Sequence, residues 1–242
     1  LYTAPSDEAL LFDVKEMKEL GFNMIRKHIK VEPSRWYMHC DREGILVWQD
    51  LPSPGLPAGH EAFARQNFEE EAVRIIDAFE NHPSIVQWVV FNEGWGQFDT
   101  ERMTQVVIDK VSPQSLVCCA SGWNDAEIGD IKDSHSYPYP SCPIDQKRAC
   151  VNGEYGGITL KVPGHIWPGG DFGYTTVETP EDFTVMFNDL ADKIKDHYYY
   201  GLNAAVYTQL SDVEIEKNGI YTYDRRILKP YSPTGELLSL IH

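Results

Sequence analysis

Two short stretches carry the residues best suited to chemistry. The first, Val89-Val90-Phe91-Asn92-Glu93-Gly94-Trp95-Gly96, is an apolar run that ends in Asn-Glu and then turns through glycine and tryptophan. It brings a carboxyl group to a strand end beside aromatic surface, a setting suited to a general acid. The second, Cys150-Val151-Asn152-Gly153-Glu154-Tyr155-Gly156-Gly157, brings another carboxyl between glycines, which allow close approach of backbone to a substrate. Tyr155 or Tyr137 could donate a hydrogen bond to it and keep it ionised. Glycoside hydrolysis needs two carboxyl groups flanking one anomeric carbon, about 5–5.5 Å apart in retaining enzymes. A lone glutamate at a strand end is more often a solvated or salt-bridged group, so the pair carries the argument and neither half does.

These side chains need a scaffold that collects strand ends at one rim. Short runs rich in Val, Ile and Phe alternate with helical patterns along the whole chain, which implies parallel β/α units. Strands are expected at 22–26, 45–49, 85–91, 116–120, 133–136, 149–153 and 204–210. Helices are expected at 6–20, 34–42, 61–80, 100–111 and 181–199, with a short terminal helix over 237–241. A long loop over 155–180 holds His165, Trp167, Phe172 and Tyr174, and loops of this length are usually functional or disordered. The fold class is α/β, an eight-fold β/α (TIM) barrel. Only seven strands are counted, so the first is expected upstream of Leu1, and residues 1–242 are read as one catalytic barrel domain. About 250 residues suffice for such a barrel. An open doubly wound sheet is the rival, weakened by the lack of a glycine-rich phosphate loop after any strand.

Barrel sites lie at the C-terminal ends of the strands. The polar residues expected there include Arg26 and His28, Gln49 and Asp50, Asn92 and Glu93, Ser121 and Trp123, His135 and Tyr137, Glu154, and Gln209 and Asp212. Trp95, Trp123 and Trp167 fall in loops and are read as sugar platforms, whereas Trp88 in mid-strand is read as core. Asp50 and Asp212 are read as braces for neighbouring strands or for Arg26.

Composition bounds the alternatives. The 242 residues are 42% hydrophobic and 24% charged, enough apolar material for a core. A net charge of −16 repels phosphate backbones and anionic lipid, so neither a nucleic acid nor a membrane is an expected partner. Five cysteines without C-x-x-C spacing suggest neither a disulfide framework nor a zinc site. His28, His135 and His165 lack H-x-H or H-E-x-x-H spacing, so no metal is expected and no cofactor is invoked. Localisation is not legible from an N-terminus that starts at Leu1.

Several segments, in order along the chain, resemble the barrel domain of glycoside hydrolase family 2, the β-galactosidases, β-glucuronidases and β-mannosidases. They are Leu20-Gly21-Phe22-Asn23-Met24-Ile25-Arg26, Asp41-Arg42-Glu43-Gly44-Ile45-Leu46-Val47-Trp48-Gln49-Asp50, His82-Pro83-Ser84-Ile85, Phe91-Asn92-Glu93 and Gly153-Glu154-Tyr155-Gly156. The resemblance implies that Glu93 is the general acid/base and Glu154 the nucleophile. It further implies that Asn92 binds the sugar 2-hydroxyl, that Arg26 holds the nucleophile, and that His135 and Tyr137 line the sugar subsite. It also implies β-sandwich domains upstream and a β-linked glycoside or oligosaccharide as substrate. One departure stands out: Ala205-Val206-Tyr207-Thr208-Gln209-Leu210 lacks the tryptophan that the family commonly carries on strand eight. The platform role then passes to Trp95, Trp123 or Trp167. The alternatives are a barrel that binds carbohydrate without cleaving it, a metal-dependent lyase or isomerase, and an inactive fragment.

Overall fold

The computed structural model describes residues 4–53, 55 and 61–230. The chain forms two compact units, one comprising Leu1–Asp133 with Ile144–Cys150 and the other Ser134–Pro143 with Val151–His242.

The first unit alternates helix and strand: α1 (Asp7–Glu19), β1 (Met24–Lys27), α2 (Ser34–Glu43), β2 (Leu46–Asp50), α3 (Glu61–Phe79), β3 (Ile85–Asn92), α4 (Thr100–Lys110) and β4 (Leu116–Ser121). Local chemistry explains the boundaries. The Ser6 hydroxyl accepts the Ala9 N–H at 3.3 Å and starts α1, with Asp7 and Glu8 against the positive end of its dipole. Gly44 ends α2 in the left-handed region at φ 69°. The four strands form one parallel sheet in the order β1-β2-β3-β4. Val47 pairs with Ile85 but Trp48 with Gln87, a register shift that advances β3 by one residue. Beyond Ile85, β3 is buried almost throughout, as expected of a strand covered on both faces. Its own Trp88, Val90 and Phe91 join Val14, Tyr37, Ile76, Met103 and Cys119 in the core. Trp88 is therefore core. Cys118 and Cys119 are packed inside β4 with no exposure.

β5 (Ile131–His135) and β6 (Ala149–Gly156) begin in the first unit and end in the second. With β9 (Leu202–Thr208) they form a sheet ordered β5-β6-β9. The preceding helix, α5 (Pro180–Tyr199), is capped by the Thr179 hydroxyl, which accepts the Asp182 N–H at 3.1 Å, and Pro180 opens its first turn. Its buried face carries Phe183, Phe187 and Leu190, and Phe187 meets Tyr207 of β9 edge-on at 4.8 Å.

All seven expected strands are present. Two differences matter for the site. β6 runs on to Gly156, so Glu154 lies inside the strand and not beyond it. The long loop after it contains β7 (Ile158–Thr159) and β8 (Thr175–Thr176), which pair in parallel. A two-residue pair of this kind leaves no periodic trace in sequence. The helix expected over 237–241 lies outside the described residues.

Candidate active site

The first unit assembles one cluster at the C-terminal ends of β1, β2 and β3. The registers Arg26↔Trp48 and Asp50↔Val89 bring the Arg26 and Asp50 side chains within reach of each other. Arg26 donates from Nε to Asp50 Oδ1 at 3.2 Å and from Nη2 to Asp50 Oδ2 at 2.9 Å. Both side chains are essentially inaccessible to water. Nη2 also donates to Asn92 Oδ1 at 2.7 Å. His28 Nδ1 lies 3.3 Å from Asp50 Oδ2, and the Ile29 N–H donates to the same oxygen. Burial pushes the Asp50 carboxyl up, but Arg26 and His28 outweigh it and hold it below the ordinary carboxylate value.

Glu93 follows β3 directly. Its φ of 52° is in the left-handed region, an unfavourable conformation for a residue with a side chain. Three contacts hold the bend there. The Glu93 N–H donates to Ser121 O at 3.0 Å, the Trp123 indole N–H donates to Glu93 O at 3.0 Å, and the Trp95 N–H donates to Asn92 O at 2.9 Å. Gly94 follows at φ 79°, and a Cβ there would run into the Asn124 amide. Trp123 is thus tied to the Glu93 main chain while half its surface stays open, and Trp95 is 61% exposed.

The second unit assembles the other cluster. The Tyr137 hydroxyl donates to Glu154 Oε2 at 2.6 Å and lies 2.9 Å from the Thr208 hydroxyl oxygen, which closes β9. His135 Nδ1 lies 3.5 Å from the same Glu154 oxygen, and the His135 side chain is buried. Burial and the Glu154 charge both push the Tyr137 hydroxyl far up, so it stays protonated as a donor. Tyr155 does not take this part: it is buried against Tyr207, ring centroids 5.6 Å apart. The glycines after Glu154 also differ from expectation. Gly156 and Gly157 have φ of 94° and 66°, and added Cβ atoms would strike Tyr207 at one and Tyr174 and Tyr137 at the other. They make room for aromatic rings.

Trp167 packs edge-on against Tyr223 at 5.4 Å, beside the His165–Asp224 pair at 2.7 Å. Asp212 braces its own surroundings. It accepts the Gly219 N–H at 2.8 Å and the buried Lys229 ammonium at 2.5 Å. Thr208 and Tyr174 were not singled out as site residues from sequence. Thr208 carries one weak signal, its place at a strand's C-terminal end. Tyr174 carries none beyond its loop.

Comparison with known proteins places this architecture. Residues 4–232 match the family described as "Glycosyl hydrolases family 2, TIM barrel domain". A β-galactosidase of Clostridium acetobutylicum is 22% identical over 262 aligned residues, covering 92% of this chain and 29% of that protein. A β-glucuronidase of Bacteroides fragilis is 34% identical over 88 residues, 34% of this chain and 12% of that protein. Among solved structures, a β-galacturonidase from Eisenbergiella tayi bound to galacturonate superposes with a TM-score of 0.73 at 17% identity, covering 98% of this chain and 47% of that one. The β-glucuronidase of Ruminococcus gnavus superposes with a TM-score of 0.69 at 14% identity, over 90% of this chain and 44% of that one. The chain thus spans less than half the length of these relatives.

Proposed function

The chain belongs to glycosyl hydrolase family 2, whose TIM-barrel domain it matches over nearly its whole length, and from that premise we propose that it is the catalytic barrel of a retaining β-glycosidase. The observation that carries the reading is the 2.6 Å hydrogen bond from a protonated Tyr137 to Glu154. A hydroxyl donor on one carboxylate oxygen stabilises the ionised form and leaves the other oxygen for attack.

In the proposed reaction Glu154 attacks the anomeric carbon while Glu93 protonates the departing oxygen. Water, deprotonated by Glu93, then releases the sugar with retained configuration. Asn92 is the proposed partner of the sugar 2-hydroxyl. Its oxygen is taken up by Arg26, so the amide nitrogen is the group to donate to a sugar hydroxyl. Arg26 acts by fixing that amide, and His135 and Tyr137 by fixing the nucleophile. Trp95 and Trp123 offer exposed ring faces next to Glu93, and Trp167 a further face beside Tyr223; these are the proposed sugar platforms. The substrate is a β-linked glycoside or oligosaccharide. The named activities of the relatives, galactoside and uronide hydrolysis, define the sugars to try first.

The test is intact mass after exposure to a panel of activated 2-fluoro-β-glycosides, followed by peptide mapping. A stable adduct on the peptide holding Glu154 is the expected result and also reports the preferred sugar. An adduct on another carboxylate would remove Glu154 from the nucleophile role. A folded protein that takes up no label and turns over no glycoside would leave a non-catalytic carbohydrate-binding barrel as the reading.

A further inference from the structure

The ring that carries the Tyr137 hydroxyl is itself held. Tyr174 lies flat on it, with ring centroids 3.5 Å apart and the planes 2° from parallel. Tyr174 is the residue before β8. β7 and β8 pair as Ile158↔Thr175 and Thr159↔Thr176, so one step back along both strands sets Tyr174 against Gly157. Gly157 is bare for a reason: a Cβ there would lie 2.5 Å from Tyr174 Cδ2 and 3.1 Å from Tyr137 Cδ1. The backbone around it is tied down, with Gly156 N–H donating to Pro138 O at 2.9 Å and Gly157 N–H to Thr208 O at 2.8 Å. On its other side Tyr174 meets Phe172 edge-on at 5.4 Å, and the Phe172 N–H donates to Ile215 O at 3.0 Å. The two-residue strand pair thus has a geometric consequence. It presents one aromatic plane, from an otherwise irregular loop, to the residue that orients the carboxylate.

We propose that Tyr174 is a positioning residue for the nucleophile, acting through the Tyr137 ring to hold the Tyr137–Glu154 hydrogen bond in place. The inference rests on the reading of Glu154 as nucleophile. A hydroxyl aimed at a carboxylate is useful only if its ring cannot rock, and a small displacement from productive geometry is costly in rate. The stack restricts ring tilt, while the Thr208 hydroxyl and Glu154 fix the end of the lever. Tyr174 is 44% exposed, so removing its ring opens no large internal cavity, and the effect on folding is separable from the effect on rate.

The experiment compares wild type with Tyr174→Ala, Tyr174→Phe and Tyr137→Phe, measuring kcat, KM and the acidic limb of the kcat/KM profile on the unfluorinated aryl β-glycoside of the sugar that labels best. Loss of a stack of this kind corresponds to about a threefold to tenfold fall in kcat, expected with KM little changed. Loss of a hydrogen bond to the charged nucleophile makes it harder to ionise, so the acidic limb moves to higher pH in Tyr137→Phe and part of the way in Tyr174→Ala. Among the described residues of its unit, His135 and Tyr137 both face Glu154, with Tyr174 behind the latter. His135 is constant across the set, so it does not confound the shift. Tyr174→Phe, which keeps the plane, recovers most of the rate and the wild-type limb. Tyr174→Leu, apolar but without a plane, replaces the alanine variant should that fail to fold, and is expected to behave as Tyr174→Ala. An unshifted limb in Tyr174→Ala, or equal loss in the alanine and phenylalanine variants, overturns the inference while leaving the glycosidase reading intact. A folded wild type without activity on any glycoside overturns both.

Discussion

The two clusters hold their carboxylates by different means. Behind Glu93 stands a buried ion pair, Arg26–Asp50, which fixes the neighbouring Asn92, and the glutamate itself is set by a left-handed backbone. Around Glu154 stand hydroxyls and aromatic rings: Tyr137, Thr208 and the Tyr174 stack. The second unit also contains a buried ion pair, Asp212–Lys229, and the contrast with Arg26–Asp50 is instructive. Asp50 is lowered despite complete burial because it receives two bonds from one guanidinium, a main-chain N–H and a histidine. Asp212 is raised because burial outweighs Lys229, and Lys229 is lowered for the same reason. The guanidinium's planar fork compensates desolvation in a way that one ammonium point does not.

The comparison can be broken in order of expected effect. Glu154→Gln removes the proposed nucleophile and is expected to lower turnover by about 10⁴-fold or more, measured as kcat on the preferred glycoside. Near-normal turnover would mean the hydroxyl-braced carboxylate is not the nucleophile. Glu93→Ala is expected to cost about 10²–10⁴-fold on substrates with poor leaving groups. It should spare the first step for very good ones, with azide returning turnover as a β-glycosyl azide. Equal damage to good and poor leaving groups would take the acid/base role from Glu93.

The ion pairs give smaller effects, read as stability. Asp50→Asn strands a buried guanidinium and is expected to cost about 3–5 kcal/mol in denaturant unfolding. Asp212→Asn also leaves a buried cation, Lys229, without its carboxylate, but an ammonium can shed its proton where a guanidinium cannot, so its cost is expected to be smaller, about 1–3 kcal/mol. Equal costs would refute the distinction between fork and point. The pH dependence has opposite signs. Asp50 is lowered below its unfolded value of about 3.9, so its contribution is present above that value and is lost as pH falls through the folded pKa. Asp212 is raised, so its ionisation costs stability at neutral pH, and that cost is relieved as pH falls toward the unfolded value. As pH falls, the gap in stability between wild type and Asp50→Asn is therefore expected to narrow, and the gap between wild type and Asp212→Asn to widen.

The strands were legible in sequence because continuous apolar runs bounded by glycine are local signals, and β3 is the clearest of them. The first-turn acids of α1 and the Gly44 stop of α2 were equally local. Asn92-Glu93 stood out as a polar break at the end of an apolar run, and Glu154 as a carboxyl set between glycines on a strand-like segment. The sequence alone therefore determined the β/α alternation, the family resemblance and the two carboxylates worth testing. Tertiary structure decided what holds them. Arg26, Asp50 and Asn92 come from three strands, and their meeting depends on the parallel register and on the shift at Val47/Trp48. Tyr137, Gly157, Tyr174 and Thr208 meet because a two-residue strand pair folds a long loop back on β6, and because Gly156 and Gly157 are bare where rings must pass. Hydrophobic periodicity is written residue by residue, but register and ring stacking are relations between residues tens of positions apart, and only the packed chain makes them.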